Sequence, residues 1–157
     1  MPIIENEHKR TEIIGLLTQA YWMELETVMN YIAASTNLDG VRAEEIKNSL
    51  AADVTAELGH AQQFARRIKT LSGITPGSFG FKPEQKSLQP TEDTTEVVAV
   101  IKGVIDAERA AIEHYNRIIK ACEGVDYVTQ DMVITILSDE QEHLREFEGF
   151  LKEYERQ

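Results

Sequence analysis

Apolar residues recur at three- and four-residue steps in four separate stretches of this chain, and no run alternates with a period of two. Ile13, Leu17, Ala20 and Tyr31 mark the first stripe, and Ile46, Leu50, Val54, Phe64 and Ile68 the second. Val97, Ile101, Val104, Ile112, Tyr115 and Ile119 mark the third, and Val133, Ile136, Leu144, Phe147 and Leu151 the fourth. This is the period of a helix with one buried face. The pattern predicts helices over about residues 9–37, 41–72 and 91–124, and from about 125 almost to the C-terminus. Each has nearly 30 residues, so each is about 45 Å long at a rise of 1.5 Å per residue. "TNLDG" closes the first and Ser72-Gly73 the second; "PTED" offers a proline and an N-cap at Thr91; "CEG" closes the third.

The first and third connections are short, which makes helices one and two, and three and four, antiparallel neighbours. The middle connection, "GITPGSFGFKPEQKSLQP" at residues 73–90, gathers the central glycines and prolines. Extended, it reaches up to roughly 60 Å, enough to cross the length of a bundle. The expectation is an all-α chain: one four-helix-bundle domain over residues 1–157, made of two antiparallel helix pairs joined by a long crossover.

Each stripe is interrupted near its middle by a carboxylate. Helix one has Glu24 in "ELETVMNY", and helix three has Glu108 in "ERAAIEHY", each seven residues before a tyrosine. Helix two has Glu57 and His60 in "ELGH"; helix four has Glu140 and His143 in "EQEH". The two halves thus repeat a Glu followed by a Glu-x-x-His, with nearly the same spacing. Glu-x-x-His alone is weak, since Glu5 and His8 match it in the N-terminal segment. Register within the apolar stripe is what separates the other two.

A buried carboxylate needs a partner, a proton or a cation, and the stripes offer no Lys or Arg at matching depth. Residues at i and i+3 share a helix face, so each Glu-x-x-His can reach one ion. Four glutamates and two imidazoles balance two divalent cations, and mixed carboxylate and imidazole donors suit iron or manganese. Glu57 and Glu140 are assigned as bridging ligands, Glu24 and Glu108 as terminal carboxylates, and His60 and His143 as terminal imidazoles. Tyr31 and Tyr115 either hydrogen-bond to the terminal carboxylates, donate an electron, or simply fill the core. Glu26, Glu113 and Glu142 fall about 140–200° from the ligand faces and are expected to be solvated. His8 and His114 are expected at the surface, Trp22 in the core or a subunit contact, and Cys122 as a small buried filler.

The formal net charge of −11 argues against a nucleic-acid surface. No segment approaches the eighteen or so apolar residues of a membrane span, the N-terminus is too polar for a signal peptide, and the single cysteine fits a reducing compartment. A cytoplasmic location is expected.

One Glu from each of two helices with Glu-x-x-His from the other two is the ligand pattern of ferritin-like di-iron bundles. The chain resembles that superfamily, and bacterioferritin within it, over roughly residues 12–151. The likeness is closest in "DYVTQDMVITILSDEQEH", Asp126 to His143, and in "ELETVMNY". It implies a site of two iron ions that oxidises Fe(II) with O2 or H2O2, coupled to iron storage or detoxification in a hollow homo-oligomeric shell. The family's haem-ligating methionine directly follows the helix-two glutamate, where this chain has Leu58, so haem is not expected. Only 14 residues follow His143, leaving no fifth helix and favouring the 12-mer of Dps-like mini-ferritins over a 24-mer. The alternative is a cage-less, rubrerythrin-like di-iron peroxidase or oxidase. A DNA-associating protective protein ranks below both.

Overall fold

In the computed structural model, which describes residues 2–156, the four predicted helices are α1 (Glu7–Asn37), α2 (Glu44–Thr70), α3 (Val97–Cys122) and α4 (Tyr127–Glu155). A 3-10 turn at Val41–Ala43 leads into α2. No strand occurs among the described residues. Asn6 caps α1 by accepting from the Lys9 amide at 3.0 Å, and Asp126 caps α4 by accepting from the Thr129 amide at 3.0 Å. Gly124, at φ 72°, makes the left-handed turn between α3 and α4. Arg67 then ties α2 to that cap, through Nη2 to Asp126 Oδ1 at 3.0 Å and Nε to Thr129 Oγ1 at 2.7 Å.

α1 packs against α2 and α3 against α4, while α1 also approaches α3. The crossover runs the length of α1. It begins where Gly73 lies against Ile14, passes Trp22, which packs against Phe81 with ring centroids 5.5 Å apart and the rings tilted by 54°, and ends where the Asp39 amide donates to Thr94 O at 2.9 Å. α3 therefore starts beside the end of α1 and runs antiparallel to it. Each helix pair is an antiparallel hairpin, as the short connections predict.

Around the crossover, two details depart from the sequence reading. α3 begins at Val97, not near Thr91. Residues 91–95 form a turn instead, with Asp93 Oδ1 accepting from the Thr95 amide and hydroxyl at 2.9 and 2.7 Å. Glu26 is not solvated: it is buried beneath the crossover. Its carboxylate accepts from the Glu84 amide at 2.9 and 3.0 Å and from the Gln85 amide at 2.9 Å. The crossover comes close enough to α3 that Gly103 has no room for a side chain. A Cβ there would lie 2.5 Å from the Ser87 carbonyl oxygen.

The apolar core divides into two clusters. Ile13, Leu17, Phe64, Ile68, Tyr115, Ile118 and Val133 form one, and Tyr31, Ile46, Leu50, Ile101, Val104 and Phe147 the other. On every helix the residues between these clusters are the ones that interrupt the stripe.

Candidate metal centre

Glu24, Glu57, Glu108 and Glu140 are each no more than 2% exposed, and His60 is 4% exposed. His143 is half-buried. The bundle brings all six predicted residues together in the polar layer between the two apolar clusters. They form two overlapping groups whose ligand-type atoms lie within 4.8 Å of one another: Glu24, Glu57, His60 and Glu140, and Glu57, Glu108, Glu140 and His143. Glu57 and Glu140 belong to both. The i, i+3 spacing on α2 and α4 produces this, because it puts each histidine one turn from a shared glutamate.

Both imidazoles turn Nδ1 inward. His60 Nδ1 lies 3.1 Å from Glu140 Oε1 and 3.7 Å from carboxylate oxygens of both Glu24 and Glu57. His143 Nδ1 lies 3.3 Å from Glu57 Oε1. Their outer nitrogens face a second pair of carboxylates, Asp139 at 2.9 Å from His60 Nε2 and Asp53 at 3.4 Å from His143 Nε2. An outer carboxylate holds the proton on Nε2 and leaves Nδ1 directed into the layer, where its lone pair is freed once the Nδ1 proton is displaced. Sequence reasoning missed Asp53 and Asp139, although Asp53 shares a helix face with Glu57 at i, i+4 and that spacing could have pointed to it. Tyr31 donates to Glu108 Oε1 at 2.5 Å. The Tyr115 hydroxyl is buried without a partner and bonds to neither carboxylate.

The protonation pattern is that of acids crowded out of water. Burial raises Glu24, and the charges of Glu57 and Glu140 raise it further. Burial likewise raises Glu108 and Glu140. Burial would raise Glu57 too, but the close approach of the Glu24 carboxyl and of the His143 and His60 imidazoles outweighs it and lowers this acid. Burial would lower both histidines, yet the surrounding carboxylates win: His60 is raised strongly, and His143 is pushed up to about 9. Burial lifts Asp53 to about 6 against the pull of His143.

Glu24 Oε2, Glu57 Oε1, His60 Nδ1, Glu108 Oε2, Glu140 Oε1 and His143 Nδ1 are all buried with no hydrogen-bond partner. Buried polar atoms are rarely left so. One orphaned donor atom from each of six converging residues fits a pair of cations.

Other predicted residues fall elsewhere. His8 is exposed. His114 is fully buried, not at the surface, and its Nε2 lies 2.8 Å from the Leu16 carbonyl on α1. Burial lowers its pKa, which keeps it a neutral donor between helices. Cys122 is fully buried in the first apolar cluster, and burial pushes its thiol up to about 12. That environment suits a filler, not a reactive thiolate.

The sequence profile of the ferritin-like domain matches residues 14–157, and the chain belongs to the ferritin-like family. It is 29% identical over 144 residues to the bacterioferritin of Desulfovibrio desulfuricans, covering 91% of this chain and 76% of that protein. The crystal structure of a bacterioferritin from that organism, described with its diiron site in different catalytic states, superposes with a TM-score of 0.82 at 26% identity. The match covers 96% of this chain and 84% of that one. The chain is also 28% identical over 144 residues to a DNA protection during starvation protein of Pyrococcus furiosus, covering 89% of this chain and 77% of that one. A dodecameric thioferritin of Bacteroides fragilis shares the fold, with a TM-score of 0.80 at 24% identity over 94% of this chain and 88% of that one. No helix among the described residues is long and apolar enough to cross a membrane.

Proposed function

We propose that this protein is a ferroxidase that binds two ferrous ions per chain, oxidises them with O2 or H2O2, and passes the ferric product into a hollow shell of twelve chains. The observation that carries the reading is the set of six orphaned buried ligand atoms, gathered in two groups that share Glu57 and Glu140. Glu57 and Glu140 are the bridging carboxylates, Glu24 and Glu108 the terminal ones, and His60 and His143 the terminal imidazoles. The iron pair, when bound, supplies one electron per ion to the oxidant. Asp139 and Asp53 keep the Nδ1 atoms of His60 and His143 free to bind, and Tyr31 holds Glu108 in place. The protons that the metal-free cluster retains leave as the cations enter.

The family assignment and the likeness to a bacterioferritin with a diiron site support iron as the substrate, and the dodecameric relative supports the smaller shell. A charge of −11 opposes attraction to DNA phosphates, which sets this reading ahead of DNA protection. Two measurements test it. Aerobic Fe(II) oxidation should fall to the rate of free iron when Glu57→Ala is combined with His60→Ala; equal rates in wild type and variant would overturn the ferroxidase. In solution the assembly should have a mass of about 210 kDa, twelve chains of 17.8 kDa. A dimer of about 36 kDa would remove the storage role and leave a cage-less oxidase.

A further inference from the structure

Two adjoining cavities lie between the surface and the polar layer, on the side of α1 and α3. A surface cavity of about 330 Å³, lined in part by Met23, Glu84, Asp106 and Ala110, opens there. Behind it lies a second, narrow cavity of about 10 Å³ walled by Thr27, Ala107 and Ala111, with Glu24, Glu57, Glu108 and Glu140 at its inner end. The small side chains of α3 leave this gap; larger ones would close it. Met23, Gln85 and Ala107 line both cavities, so the Gln85 side chain stands at the junction.

Gln85 is held there by side-chain hydrogen bonds on two sides. Its Nε2 donates to Thr27 Oγ1 at 2.6 Å, and its Oε1 accepts from Asn30 Nδ2 at 2.8 Å. Its backbone is held separately, by the Glu26 carboxylate on the Glu84 and Gln85 amides and by Gln89 Nε2 donating to the Gln85 carbonyl at 2.7 Å. Because the backbone is anchored, the side chain can leave the junction only by a rotamer change that breaks its bonds to Thr27 and Asn30. Rotamer changes of this kind are much faster than movement of a whole loop. At about 10 Å³ the inner cavity has room for about one water at most, too little for a hydrated cation while Gln85 stays in place.

Resting on the metal-site reading above, we propose that Gln85 is the gate through which divalent cations reach the six-residue site, latched shut by Thr27 and Asn30. Gln85 is not a ligand. It sets the rate of entry and leaves affinity alone, because a gate speeds entry and exit equally.

The test uses Co(II), whose visible absorption reports binding to carboxylate and imidazole ligands, mixed rapidly with the full-length, metal-stripped protein. Gln85→Ala should raise the association rate constant about tenfold or more, as expected for removing two side-chain hydrogen bonds. The equilibrium affinity and stoichiometry should stay unchanged. Gln85→Arg, which places a bulky cation in the same opening, should slow association. A merely loosened crossover would speed both variants and alter affinity, and that result would overturn the gate. Unchanged rates in both variants would also overturn it and place entry on the α2–α4 side, where Asp139 is 48% exposed. If the wild-type Co(II) signal survives Glu57→Ala with His60→Ala, the metal-site reading itself falls, and the gate with it.

Discussion

Replacing Glu26 with alanine tests whether the crossover is structurally fastened to α1. The carboxylate is buried, at 4% exposure, and accepts from two backbone amides, Glu84 at 2.9 and 3.0 Å and Gln85 at 2.9 Å. Hydrogen bonds to a charged acceptor contribute about 1.5–3 kcal/mol each. The amides sit near the surface and regain water when the carboxylate is removed, so the expected loss is about 2–4 kcal/mol. Glu26→Gln keeps one acceptor oxygen without the charge and should lose about half as much. The assay is urea unfolding of the metal-free protein at fixed protein concentration, because assembly makes the midpoint concentration-dependent. Glu113→Ala, at an exposed position on α3, is the control and should stay within about 0.5 kcal/mol of wild type. If Glu26→Ala is as mild as Glu113→Ala, the carboxylate is an ordinary surface charge and the crossover is held by its apolar contacts alone.

Further outcomes follow from the same geometry. Without metal, stability should fall as pH rises from neutral. Glu24, Glu108, Glu140, His60 and His143 all bind protons more tightly folded than unfolded, so each stabilises below its ordinary pKa and loses that contribution as pH climbs toward its raised value. For His143 the window is 6.5 to about 9. Glu57, lowered, acts oppositely and loses its contribution only in acid. Thermal melts between pH 6.5 and 9 should therefore slope downward for the metal-free protein and much less for the loaded one; a flat metal-free profile would contradict the pattern. Gly103→Ala should destabilise by about 1–3 kcal/mol despite the better helix propensity of alanine, because the clash at 2.5 Å is with backbone; an unchanged urea midpoint would refute the tight crossing. Tyr31→Phe leaves Glu108 Oε1 without its donor and should cost the metal-free protein about 1–3 kcal/mol, read from the same urea curves.

The helices and the six-residue cluster were legible because both are written locally. An amphipathic stripe declares its buried face, and a glutamate at its centre declares an exception that packing alone cannot accommodate. Glu24, Glu57, Glu108 and Glu140 were placed on this ground, and their convergence follows from two antiparallel hairpins in register. Glu26 and His114 were misplaced because what buries them comes from distant chain. Glu26 lies opposite the ligand face of α1, and the crossover that covers it is 58 positions further on. His114 faces Leu16 on α1, 98 positions away, because α3 is packed by α1 as well as by α4. Gly103 is a local mark of the crossover's path: a glycine inside a helical pattern gives up helix propensity and points to a packing reason, and here Ser87 of the crossover lies against it. Thr91 misled because a Pro-Thr pair followed by acids reads equally well as a cap and as a turn. Thr94, bonded to Asp39 Oδ2 at 2.7 Å, decides for the turn.

The central claim is a pair of cation sites that share two carboxylates, and anaerobic Fe(II) titration with counting of bound metal tests it most directly. Wild type should bind two ions per chain. Glu24 belongs to one ligand group only, whereas Glu57 belongs to both. Glu24→Ala should therefore weaken one ion and spare the other, while Glu57→Ala weakens both. A wild-type stoichiometry of one or none, or equal losses in the two variants, would contradict the shared two-cation site.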